Sequence, residues 1–191
     1  LNYHPGTYAG DIDALLAATG IARAVFIGTS MGGLITLVLA AFRPEAIAAA
    51  VLNDVGPELS PVGLARIAAY AGGASRFSTW AEAVAYARAI NAAAFPAYGA
   101  DDWDRFARRL FDETDGGFVL AYDPDIAVPL RAADPSAPAP DMYPLFRALT
   151  KDRPVLLVRG AISDLIDPPI VARMQAAAPD MAVVEDRKSV V

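Results

Sequence analysis

Ser30 lies in the run Gly28-Thr29-Ser30-Met31-Gly32, a Gly-x-Ser-x-Gly pattern, directly after the wholly apolar Ala24-Val25-Phe26-Ile27. A serine hydroxyl is a weak nucleophile until its surroundings activate it. Held in a cramped bend between a buried strand and a helix, it projects above the sheet. There the unpaired N–H groups and the dipole of the helix favour a developing negative charge. The chemistry this implies is acyl transfer, with Ser30 attacking and the Met31 N–H as the first oxyanion donor. Gly28 and Gly32 belong to the bend, because side chains at 28 and 32 are expected to collide there. The competing reading is a serine that caps a helix in a Gly-rich turn.

Such a serine needs a histidine base oriented by a carboxylate. Asp164 ends the segment Arg159-Gly160-Ala161-Ile162-Ser163-Asp164, after the apolar Pro154-Val155-Leu156-Leu157-Val158. It is the expected acid, since its loop follows the strand that comes after a long insertion. Asp54 follows the apolar run Ile47 to Leu52 and is the alternative acid, although Asn53-Asp54 could equally fix a turn at Gly56-Pro57. Asp164 in turn could simply cap the helix or turn before Pro168. His4 is the one histidine of the chain. It precedes Ser30 in His4-Pro5-Gly6, read as a loop, whereas the expected order is Ser, Asp, His. The base is therefore expected outside these 191 residues.

The elements that must position these groups follow from hydrophobic periodicity. Asp11 to Ala18 predicts a short helix stopped by Gly20 in the left-handed conformation, then a strand at 24–27 and a helix from Met31 to Phe42 halted by Arg43-Pro44. Ile47 to Leu52 and Pro154 to Val158 predict two neighbouring buried strands. Met181 to Glu185 is a weaker strand, preceded by a helix from Pro168 to Ala178. Alternation of this kind predicts a partial parallel sheet with flanking helices, and a ligand crevice at the carboxyl ends of its strands.

Between the second and third strands lies a helical pattern far longer than a crossover needs, with helices near 61–71, 79–95 and 101–111 and a Pro-rich return through 134–140. This predicts an inserted helical cap over 57–147, flanked by core parts at 1–56 and 148–185, with 186–191 read as a non-native tail. The cap carries Tyr70, Phe77, Trp80, Phe95, Tyr98, Trp103, Phe106 and Phe111. Some of these could line an apolar pocket over Ser30, but aromatics at helical spacing are more often the insert's own core.

Hydrophobic residues make up 55% and charged residues 20%, too apolar for a disordered chain, while no apolar run reaches membrane-spanning length. A net charge of −6 with 16 scattered basic residues argues against nucleic acid as a partner. With no cysteine and one histidine, neither a disulfide framework nor a metal centre is expected. A small-molecule substrate, no cofactor, no membrane partner and a cytoplasmic location by default are the corresponding expectations.

The run from Val25 to Pro57, with Gly28-Thr29-Ser30-Met31-Gly32-Gly33 and Val51-Leu52-Asn53-Asp54-Val55-Gly56-Pro57, resembles bacterial α/β-hydrolases of the esterase, enol-lactonase and meta-cleavage-product hydrolase type. Arg153 to Met174 is similar too. The resemblance implies the α/β-hydrolase fold, with nucleophile and acid roles for Ser30 and Asp164. It implies hydrolysis of a small, rather apolar ester, lactone or activated carbon–carbon bond, or acyl transfer to another acceptor. Dehalogenases and epoxide hydrolases of similar architecture carry aspartate where Ser30 stands. It also implies first strands before Leu1 and a histidine loop after the last strand. A chain without them is expected to be inactive and to expose an apolar sheet edge. A ligand-binding module that keeps the fold without turnover is the non-enzymatic alternative.

Overall fold

The computed structural model describes residues 2–73, 76–132 and 139–186. Its elements run α1 (Pro5–Thr19), β1 (Ala24–Thr29), α2 (Met31–Phe42), β2 (Ile47–Asn53), α3 (Pro61–Tyr70), β3 (Arg76–Phe77), α4 (Trp80–Asn91), α5 (Ala100–Ala107), β4 (Phe111–Thr114), β5 (Gly117–Leu120), α6 (Val128–Ala132), α7 (Tyr143–Thr150), β6 (Val155–Gly160), α8 (Pro168–Ala177) and β7 (Ala182–Asp186). β1, β2, β6 and β7 form a parallel sheet in that spatial order. Each parallel step needs a crossover, and α2 and α8 supply two of them.

Register divides the sheet into two unequal faces. Phe26 pairs with Ala50 and Gly28 with Leu52, which in turn pair with Val155 and Leu157. These residues face one way and bury against Ala9 of α1, Leu37 and Leu39 of α2, Phe146 and Leu149 of α7, and Ile170 and Met174 of α8. Successive strand residues point to opposite faces, so Val25, Ile27, Val51, Leu156, Val158 and Val184 share the other side. There Ile27 is 75% and Val25 60% exposed. β1 pairs only with β2 among the described residues.

Local signals account for the ends of the helices. Gly20 adopts φ 69 and its N–H and that of Ile21 return to Ala17 and Leu16 carbonyls, the left-handed stop expected of it. The start of α1 differs from expectation. Instead of a loop, Pro5 occupies the first helical turn, where its missing N–H costs nothing, and the His4 side chain caps that turn. Arg43, at the end of α2, pairs with Asp13 of α1 and with Glu45 at 2.7 Å, fastening the two helices together.

The segment between β2 and β6 holds more than helices. β3, β5 and β4 form an antiparallel three-stranded sheet, with β4 and β5 joined through Asp115-Gly116. The expected helix at 101–111 ends at Ala107, and Phe111 begins a strand instead. Ala83, Ala87, Ala107 and Phe111 form a separate core, packed with Phe77, Trp80, Phe106 and Phe118. Phe95, Tyr98 and Trp103 stack in turn around Phe106. These aromatics therefore fill their own segment. The boundary expected at 147/148 falls inside α7, whose Phe146 and Leu149 are fully buried in the main core. Most of the Pro-rich return and the tail from 187 lie outside the described residues.

Candidate active site

Ser30 has φ 48 and ψ −117. For a residue with a Cβ this is a sparsely populated conformation, which persists only where the surroundings impose it. They do so through two glycines. A Cβ on Gly28 would stand 2.6 Å from the backbone of Gly32 and Gly33, and one on Gly33 would stand 2.2 Å from Val55 Cγ1. The expectation for Gly32 is not met, because a Cβ there touches nothing within 4 Å. The third glycine of the bend is Gly33, which the helix start presses onto the end of β2. The doublet Gly32-Gly33 was the visible signal for it.

Above the bend, α2 offers its first amides. The first bond within the helix runs from Gly33 N–H to the Ser30 carbonyl at 2.9 Å, so the Met31 and Gly32 N–H groups precede the hydrogen-bonded turns. Ser30 makes no side-chain cap bond, and its hydroxyl is left for other work. The capping-serine reading is excluded on this geometry.

Both candidate acids come to the same end of the sheet. Thr29 pairs with Asn53, Ser30 N–H donates to the Asn53 carbonyl at 3.2 Å, and Asp54 N–H donates to the Val158 carbonyl at 2.8 Å. Ser30 and Asp54 thus leave adjacent strands side by side. Asp54 is 1% exposed with φ 52, and its Oδ1 accepts the Gly160 N–H at 3.0 Å. Its Oδ2 is buried without a hydrogen-bond partner among the described residues, an arrangement that costs free energy unless something supplies a donor.

Asp164 stands on a loop that is held from below. Arg159, 7% exposed, donates to the carbonyls of Ile166 at 2.7 Å and Ser163 at 3.4 Å, and to Glu185 at 2.8 Å. Ser163 Oγ accepts from the N–H groups of Leu165 and Ile166. Above the loop, Arg66 of α3 grips Asp164 with two bonds, Nε to Oδ2 at 2.6 Å and Nη2 to Oδ1 at 2.7 Å. No local cue marks this pair, whose members lie 98 residues apart. The paired guanidinium holds the Asp164 carboxyl below its ordinary value of 3.8, against an opposing contribution from burial.

A depressed carboxylate stabilises the fold above its unfolded value and loses that contribution as pH falls through the folded one. The stability advantage of the native chain over Arg66→Gln is therefore expected to be full at about pH 5 and to shrink by about pH 3. Urea midpoints at the two pH values check this. Because both side chains are about a third exposed, solvent screening keeps the effect modest.

His4 takes no part in this cluster. Its Nδ1 accepts the Gly6 N–H at 3.0 Å in the first turn of α1, and the residue is exposed. No group of His, Asp and Glu suited to a metal ion occurs among the described residues. Nor is any described helix long and apolar enough to cross a membrane.

A strained serine between strand and helix, with two carboxylates at the same sheet end, invites comparison with known proteins. Residues 2–188 match the α/β hydrolase fold family. The chain belongs to that family. A solved α/β hydrolase from Novosphingobium aromaticivorans superimposes with a TM-score of 0.82 at 43% identity, covering 97% of this chain and 65% of that one. The 3-hydroxybutyrate-oligomer hydrolase of Cupriavidus necator is 37% identical over 183 residues, 93% of this chain and 62% of that protein. The 2-(acetamidomethylene)succinate hydrolase of Mesorhizobium japonicum is 28% identical over 183 residues, 95% of this chain and 62% of that protein. This α/β hydrolase chain thus spans under two thirds of the length of these relatives.

Proposed function

We propose that the full-length protein is a serine hydrolase that cleaves a small ester or amide derived from a carboxylic acid. The observation that carries this reading is the Ser30 backbone at φ 48 and ψ −117, imposed by Gly28 and Gly33, with the first amides of α2 above it. Such strain costs free energy without a structural return, and unpaired N–H groups at a helix start beside the serine are what a developing oxyanion requires. Ser30 attacks the carbonyl carbon. The Met31 N–H receives the oxyanion, and a histidine beyond these residues takes the Ser30 proton and returns it to the leaving group. The named relatives act on 3-hydroxybutyrate oligomers and on 2-(acetamidomethylene)succinate, both built from carboxylic acids. That supports an acid derivative as the substrate here. The segment between β2 and β6, with its own core, is the cap over the crevice.

Asp164 is the acid in this reading, since its loop follows the strand after the insertion and is braced by Arg159. A second reading gives that role to Asp54, favoured by one observation. Its buried Oδ2 awaits a donor, while both oxygens of Asp164 are taken by Arg66. Asparagine variants separate the two. Replacing the acid that orients the base is expected to lower kcat by about four orders of magnitude, while the other replacement costs at most about tenfold. Steady-state rates of Asp164→Asn and Asp54→Asn on a chromogenic ester decide between them. Near-native rates in both would remove the triad reading.

A further inference from the structure

We infer that the chain carries a second binding site, for a compact oxyanion of the phosphate or carboxylate type, at the end of the sheet remote from Ser30. A cavity of about 310 Å³ opens there, floored by Val155 and Met181 at the amino ends of β6 and β7 and walled by the last turns of α7 and α8. Ser30, Asp54 and Asp164 instead follow the carboxyl ends of their strands. The six residues of β6, at about 3.3 Å per residue, put roughly 17 Å between the two ends. The cavity is therefore separate from the candidate active site. Its volume lies at the lower end of the range for small-molecule pockets, which suits a compact ligand.

Arg147, Lys151 and Arg153 line this cavity, and none of the three forms an ion pair among the described residues. Arginines packed elsewhere in the core are taken. Arg66, Arg159 and Arg173 reach carboxylates at 2.6, 2.8 and 2.7 Å. Arg153 differs most from these. Its side chain is half-buried, and its Nη1 is fully buried with no hydrogen-bond partner among the described residues. A desolvated guanidinium nitrogen without an acceptor costs free energy. A turn of this side chain toward an oxyanion in the cavity supplies the acceptor, and the planar fork of arginine matches both carboxylate and phosphate.

Two features oppose an anion here and limit its size. Asp152 and Asp180 line the same cavity, so three cations face two carboxylates, and a long polyanion would meet both aspartates. The carboxyl ends of α7 and α8 also lie at this place, and helix dipoles favour cations there. That dipole accounts for Arg147 and Lys151. It does not account for Arg153, which stands three residues past the end of α7. The backbone that presents the cations is fixed before any ligand arrives. Lys151 N–H donates to the Arg147 carbonyl at 3.1 Å, and the Pro154 carbonyl accepts the Ala50 N–H of β2 at 3.1 Å. Cations on a fixed backbone lose little freedom when they bind an anion.

The test measures the thermal midpoint of the full-length protein in inorganic phosphate, in acetate and in chloride at equal ionic strength. Phosphate or acetate is expected to raise the midpoint saturably above its value in chloride, and the tighter of the two tells a tetrahedral from a planar oxyanion. In Arg153→Gln the apparent dissociation constant is expected to weaken about tenfold, and in Asp180→Asn, at the exposed rim, to tighten about threefold. Ser30→Ala is expected to bind as the native protein does. Stabilisation no greater than that in chloride, or a dissociation constant unchanged by both substitutions at the cavity, would overturn the inference. Binding lost in Ser30→Ala would overturn it too, by placing the ion in the active-site crevice.

Discussion

Replacing Ser30 with alanine in the full-length protein is expected to lower kcat for ester hydrolysis by about five to six orders of magnitude, with KM changed little. That is the cost of removing the atom that forms the covalent intermediate, because base, acid and oxyanion donors act as one unit with it. A second replacement tests the strain directly. Ser30→Gly also removes the nucleophile, but it relieves a backbone held at φ 48 and ψ −117, where a Cβ is unfavourable. It is expected to raise stability by about 1 kcal/mol while activity is lost. Urea unfolding read together with the ester rate checks both halves. A Ser30→Gly protein that is less stable than the native one would mean that the bend carries no strain to relieve.

Adding one methyl group to the bend has effects that depend on what it meets. Gly28→Ala drives a Cβ to 2.6 Å from the Gly32 and Gly33 backbone, which cannot move without shifting the start of α2. Gly33→Ala drives one to 2.2 Å from a Val55 methyl on a side chain that is 1% exposed. Overpacking of this kind costs about 1–3 kcal/mol and occasionally more. Gly28→Ala is expected at or above the upper end, since its obstacle is backbone, and Gly33→Ala lower in that range. Gly32→Ala meets nothing within 4 Å and is expected to leave stability within about 0.5 kcal/mol of native. The order Gly28, Gly33, Gly32 in chemical denaturation is the outcome to look for. A large loss at Gly32 with none at Gly33 would place the close approach at the wrong glycine.

The motif and its strand and helix were legible because they are local. The helix from Met31 to Phe42 begins and ends where its pattern does, and Gly20 stops α1 as a left-handed glycine should. β2, β6 and β7 lie within two residues of their apolar runs. Local reasoning failed where one signal hid another. Asp115-Gly116 between Phe111–Thr114 and Gly117–Leu120 is a hairpin cue, but the helical spacing from Asp101 runs straight into Phe111 and hid it. Arg76–Phe77 is too short to show any period. His4-Pro5-Gly6 reads as a turn until proline is placed at the first helical position, where it is favoured. Of the site, Ser30 and both carboxylates could be named from type and spacing. Arg66 could not, since nothing on α3 distinguishes it until the fold brings it to Asp164. The same holds for Gly63, whose reason for being glycine is the loop that it faces.

Covalent labelling tests most directly whether Ser30 is a nucleophile. The full-length protein is treated with a fluorophosphonate, digested, and mapped by mass spectrometry. A single covalent adduct on the peptide containing Ser30, absent from Ser30→Ala, is the predicted result. An unmodified Ser30 peptide from folded protein, or an adduct that persists in the alanine variant, would contradict it.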